Sequence, residues 1–252
     1  MRHLADFDSR TRDVLERTVA ALASRYGSDL IGVFLYGSAT GPDFFPGRSD
    51  LNLLILLAEV RVPALEAARA LAGRWRRDRI TPLILTAADL RASLDVFPIE
   101  IMEIKASRIV LFGQDPFDGV SVQLGHLRLQ CERDLTRHLV RFRHGYLGLG
   151  RGTRAIERLL ADAVTGVLPV LRTLARVVPG EEPSEPGGRE AVIRDVGRRL
   201  GFDPASLLAA LDIKRGARFP GAALRGLVDA YLAQIERLVD AVDRLKLEGH
   251  WA

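Results

Sequence analysis

The chain has 252 residues, 48% hydrophobic and 27% charged, with a formal net charge of +4. That is a globular composition, sufficient for one large domain or two modest ones. No uncharged apolar run approaches the roughly 18 residues of a membrane helix, and a single cysteine, Cys131, excludes an internal disulfide and a cysteine-built zinc centre. Nearly all the positive charge is Arg, interspersed with Asp and Glu. This reads as solvated faces rather than a polyanion-binding tail. The opening stretch, MRHLADFDSRTRDVLERTV, carries acids early and has no apolar h-region, so no signal peptide is predicted and a cytoplasmic location is expected.

In chain order, Asp8 or Ser9 is positioned to cap a helix reaching Tyr26, with Val14, Leu15, Val19 and Leu22 on one face. IGVFLYG reads as a strand ending in Gly37-Ser38, and DLNLLILL as a second strand. Pro63 suits the first turn of a helix whose apolar face is Leu65, Ala68, Leu71, Ala72 and Trp75. ITPLILT (Ile80 to Thr86) reads as a strand, AADLRASLDVF as a short helix, PIEIMEIKA as a strand from Ile99, and RIVLFG as a strand to Gly113. The order α-β-β-α-β-α-β-β predicts a mixed sheet with helices packed on it. From Gln123 onward the pattern is helical: Leu124, Leu127, Cys131, Leu135, Leu139 and Phe142 recur at helical spacing. A helix from Thr153 to Val178 is expected to kink near Pro169. A Pro/Gly-rich loop covers 179–188, and a long helix spans Gly221 to Leu247. The expected architecture is therefore α+β: a mixed-sheet domain over 1–117, then an all-α bundle over 118–252, with the boundary region at 114–121.

One constellation carries chemistry. Gly37 allows a tight turn and a close backbone approach to a ligand. Ser38 adds a hydroxyl and an amide suited to phosphate oxygens. Strand alternation puts Asp50 and Asn52 on one face and Leu51 on the other. Two such oxygen donors can take part in holding Mg²⁺, which uses one or two carboxylates plus substrate phosphates. The lesser reading makes Asp50 a loop cap, with Asn52 bonded to nearby backbone.

These residues, YGSATG followed by SDLNLLIL, resemble the DNA polymerase β-type nucleotidyltransferase superfamily, in its aminoglycoside and minimal nucleotidyltransferase branches. The resemblance rests on Gly-Ser, a loop, and a strand headed by Asp-x-acid, and covers residues 28–113 by motif and order. It implies transfer of a nucleoside monophosphate from an NTP to a hydroxyl of a small molecule or protein, with Mg²⁺ or Mn²⁺. Gly37 and Ser38 would hold phosphates and Asp50 would be the main metal ligand. Asn52 stands where the family has its second carboxylate, a substitution that removes one charge. The strand ITPLILT offers Leu83 and Ile84 where a third acid is expected.

The next acids are Glu100 and Glu103. Read as strand residues they face opposite sides, so at most one serves the site, and Glu100 is preferred as base or substitute ligand. Both also read as the polar side of a half-exposed strand. Arg133, Arg137, His138, Arg141 and His144 read mostly as a solvated face. Of these, Arg137, Arg141 and His144 form an i, i+4, i+7 stripe able to meet a triphosphate if it faces the cleft. Trp75 and Trp251 read as packing and tail residues, and GYLGLGRGT as an interhelical turn. The competing reading is a scaffold that kept the fold and binds nucleotide or a partner without turnover. The small net charge and the lack of an aromatic-basic surface argue against nucleic acid as a partner. A homo-oligomer is compatible with the sequence.

Overall fold

The computed structural model describes residues 3–41, 44–47, 49–150, 152–180 and 188–251. The chain divides into two compact units, Met1–Val122 and Gln123–Trp251.

The first unit begins with α1 (Ser9–Tyr26), capped by Asp8, whose carboxylate accepts from the Thr11 amide at 3.0 Å. β1 (Leu30–Tyr36) runs into a short 3₁₀ turn, Gly37–Thr40. β2 (Leu51–Leu57) returns antiparallel to β1. After α2 (Val62–Arg69) and α3 (Ala72–Asp78), β3 (Ile80–Thr86) lies parallel to β2. Then come α4 (Ala87–Ala92), α5 (Pro98–Ser107) and β4 (Ile109–Gly113), the last antiparallel to β1. The sheet order is β3-β2-β1-β4, a mixed sheet.

Alternation along β1 and β2 gives the sheet two buried faces. Val33, Leu35, Leu53 and Ile55 join Leu15 and Leu22 of α1 and Leu71 and Trp75 in one core. Phe34, Leu54 and Leu56 point the other way and are equally buried. A strand buried on both faces reads as a continuous apolar run, as LLILL does.

Two expectations are corrected here. The helix expected after Pro63 is two helices, broken at Ala70 and Leu71, and Leu65 is exposed while Ala68, Leu71 and Trp75 are buried. PIEIMEIKA is a helix, not a strand. Pro98 occupies its first turn, where a fixed φ and a missing N–H cost nothing. Ile99, Ile101, Met102 and Ile104 are all buried. A short segment packed on several sides loses its helical stripe, and the remaining I-E-I alternation imitates a strand.

The second unit is a bundle of α6 (Leu124–Leu147), α7 (Thr153–Val177), α8 (Arg189–Leu200), α9 (Ala205–Lys214) and α10 (Gly221–Asp243). α7 is the hub, touching α6, α8, α9 and α10, and it continues past Pro169 to Val177. The architecture is α+β, a mixed sheet with helices followed by an all-helical part. A two-residue ladder joins β5 (Val122–Gln123) to β6 (His250–Trp251), an element too short to leave a sequence pattern. Residues 181–187 of the polar 179–188 loop lie outside the described residues.

His138 also departs from expectation. It is buried, and its Nε2 meets the Tyr231 hydroxyl at 2.9 Å. Tyr231 in turn stacks on Phe142, ring centroids 4.8 Å apart. Burial, with the Arg141 charge adding to it, pulls the His138 pKa down to about 4. No helix among the described residues is long and apolar enough to cross a membrane.

Candidate active site

The site begins where β1 ends. Gly37 has φ +79, a left-handed conformation that favours glycine. A Cβ there would lie 2.8 Å from Asn52 Nδ2. Two constraints, backbone sign and space, thus act at one position. The turn is closed internally: the Thr40 hydroxyl donates to the Gly37 carbonyl at 2.8 Å, and the Gly41 amide donates to the Ser38 carbonyl at 3.2 Å. The Ser38 side chain is half-buried beside it. On the approach to β2, the Phe45 amide donates to the Ser49 hydroxyl at 3.1 Å and the Ser49 amide to the Phe45 carbonyl at 2.9 Å. These bonds bring the chain back to Asp50.

Register places the rest. Asn52 sits opposite Tyr36 on β1 and opposite Thr81 on β3. Leu83 lies two residues further along β3, opposite Leu54 and on the face of Asn52. Thr81 and Leu83 therefore hold the positions on β3 from which an acid would reach Asn52.

Asp50 has a partner that sequence reading missed. Its Oδ1 is 2.9 Å from Arg79 Nη2, with the two side chains 56% and 46% exposed. Arg79 is the described non-glycine residue with a left-handed backbone, φ 57, at the end of α3. Its carbonyl also accepts from the Leu51 amide at 2.8 Å. The parallel pairing of β2 with β3, starting at Leu51 and Ile80, brings Arg79 to Asp50 across 29 residues of sequence. No local pattern signals it.

The helical state of α5 changes the reading of Glu100 and Glu103. Three apart on a helix, they share a face rather than opposing one another. α5 packs on β1 and on the Gly37–Thr40 turn. The Tyr36 phenol registers both acids: burial raises its pKa first, and the negative charges of Glu103 and then Glu100 raise it further. Both carboxylates are therefore within electrostatic reach of Tyr36. Arg137 and Arg141 are exposed on α6 of the second unit, with Arg137 Nη1 3.4 Å from Asp134 Oδ1; His144 is exposed on the same helix.

These donors do not fit a metal clamp as the resemblance implies it. Asp50 supplies one carboxylate, already engaged by a guanidinium. Asn52 supplies a neutral amide whose nitrogen is turned towards Gly37. β3 supplies no acid, and among the described residues no three His, Cys, Asp or Glu side chains gather in a way that could hold a metal ion. Hard cations bind in proportion to ligand charge, so the chemistry proposed for this site does not pass through a metal.

No protein-family model matches the chain, and no curated protein matches it. Among solved structures it is similar to the spectinomycin adenyltransferase AAD(9) from Enterococcus faecialis, determined with ATP and spectinomycin. The TM-score is 0.58 at 10% identity, over 89% of this chain and 98% of that one. Similar architecture across nearly the whole of both chains, with a tight Gly-Ser turn between the first two strands, shows that this chain has the nucleotidyltransferase fold.

Proposed function

We propose that this chain binds a nucleoside triphosphate, with the phosphates received at the Gly37–Ser38 turn, and that binding rather than metal-assisted transfer is what its side chains support. The observation that carries the reading is the turn itself. Gly37 is held in a left-handed conformation against Asn52, so the backbone can approach a phosphate where a side chain would intrude. Ser38 supplies a hydroxyl donor. The Asp50–Arg79 pair presents a guanidinium at the head of β2, a group suited to phosphate oxygens. The likeness to a protein determined with ATP supports the same ligand class.

A specific observation keeps a second reading in play. α5, which packs on the turn, carries Glu100 and Glu103 on one face, and these carboxylates are able to take a proton from an acceptor hydroxyl. In that reading the chain transfers a nucleoside monophosphate to a small molecule, as the AAD(9) complex with spectinomycin suggests by analogy.

Calorimetry with ATP, GTP, CTP and UTP separates the two. The expected result is saturable binding of at least one triphosphate, little changed by Mg²⁺, and weakened about tenfold or more by Gly37→Ala through backbone strain. Absence of binding at millimolar triphosphate, with and without Mg²⁺, overturns the proposal. Label transfer from the bound triphosphate to a hydroxyl compound, enhanced in Asn52→Asp, establishes the second reading instead.

A further inference from the structure

The helical unit contains a cavity of about 510 Å³ that the reading above does not use. Its walls are one stripe of α7 and the end of α9 with the connection that follows. On α7, Arg154 and Arg158 are one turn apart, with Glu157 and Ala161 on the same side. Lys214 is the last residue of α9, and Arg218 follows in the connection to α10. Ile213 supplies an apolar floor.

The charge arithmetic favours an anion. Four cations line the cavity against one carboxylate; that carboxylate is paired with Arg218, which leaves an excess of three positive charges. Glu157 is buried, 5% exposed, and ion-paired with Arg218. Lys214 donates to the Thr165 hydroxyl. Its pKa is lowered by burial and by the nearby Arg189 charge, against an opposing pull from Asp162. Arg154 and Arg158 are exposed and form no ion pair among the described residues. Like charges gathered around one concavity repel, and a bound anion relieves that repulsion. The volume is that of a small-ligand site rather than a macromolecular face.

We infer that this groove binds a small phosphate-bearing anion, with Arg154, Arg158 and Lys214 as its direct contacts and Arg218, steadied by Glu157, as a fourth. Guanidinium and ammonium groups lining one groove match the several oxygens of a phosphate or diphosphate better than a single carboxylate. The groove lies wholly within the helical unit, so it stands or falls independently of nucleotide binding at Gly37.

The test uses the full chain and calorimetric titration with inorganic pyrophosphate at about 50 mM salt, where screening is weak. One saturable site is expected, with affinity about tenfold or more lower in Arg158→Gln/Lys214→Gln, because two charge-assisted contacts are removed. A control with the same charge loss on α3, Arg76→Gln/Arg77→Gln, is expected to keep wild-type affinity. Should the double variant fail to fold by circular dichroism, Arg154→Gln alone is expected to weaken binding. Parallel titrations with ATP and with glucose 6-phosphate distinguish the carriers: the one whose binding falls in Arg158→Gln/Lys214→Gln and survives Gly37→Ala is the ligand type of this groove. Three results overturn the inference: no pyrophosphate binding at millimolar concentration, equal loss in the α3 control, or tighter binding of single-stranded RNA that tracks total charge rather than these residues.

Discussion

Asp50 and Asp195 are both carboxylates held by an arginine, in opposite surroundings. The Asp50–Arg79 pair is about half exposed on both sides, at the head of β2. The Asp195–Arg199 pair is 7% and 8% exposed within the bundle, with Asp195 Oδ2 2.9 Å from Arg199 Nη2. Arg199 also donates to the Val178 carbonyl at 2.7 Å and the Ala175 carbonyl at 3.2 Å, while Arg198 adds a 2.6 Å bond to Asp195. The buried pair thus closes the end of α7 onto α8 and is structural. The exposed pair is held by a single contact in high dielectric and is cheap to open. An ion pair that opens at little cost can exchange its partner for a ligand phosphate; a buried one cannot.

The sharpest way to break this contrast is Arg199→Ala. It leaves Asp195 buried without its main partner, and a loss of about 3–5 kcal/mol is expected in denaturant unfolding. A loss under about 1 kcal/mol would show that the bundle pair is no more structural than the Asp50 pair.

The next largest effect is set by pH and belongs to the same bundle. The His138 pKa is about 4 in the folded chain against 6.5 ordinarily, so between those values the unfolded chain binds more protons. Stability from this group is therefore complete above pH 6.5 and lost as pH falls towards about 4. The loss is about 3 kcal/mol across the window. Unfolding midpoints at a series of pH values check it, and His138→Phe is expected to flatten the profile.

Gly37→Ala comes third. The left-handed backbone and the crowding by Asn52 predict a cost of about 1–2 kcal/mol, with triphosphate binding reduced more than stability. An alanine variant that binds normally would remove the turn from the site. The smallest effect is expected from Asp50→Ala, less than about 1 kcal/mol in unfolding, since an exposed pair contributes little. That change is nevertheless expected to alter triphosphate binding, because it frees Arg79. Thermal unfolding and calorimetry on one sample separate the two readouts.

The legible parts of this protein were those whose physics is local. α1 could be read from its Asp8 cap and its apolar spacing, and β2 from a run of leucines too long to alternate. Gly37-Ser38 stood out because glycine before a polar residue at a strand end marks a turn. α5 was misread because a segment buried on several sides carries no stripe, and that error put Glu100 and Glu103 on opposite faces. His138 was misread because one polar residue among arginines looks solvated until a partner such as Tyr231 arrives from another helix. Arg79 could not be read at all.

The sequence by itself therefore determined the turn, the strands β1 to β3 and β4, the helical periodicity that begins after Gln123, and the loss of charge at Asn52. Each follows from residue type, spacing and backbone preference within a few positions. Only the tertiary structure decided what meets what: Arg79 on Asp50 through the parallel β2–β3 register, two glutamates on one helical face within electrostatic reach of Tyr36, and four cations from α7 and the α9 end around one groove. Such contacts depend on packing between segments distant in sequence, and no pattern within a single segment encodes them.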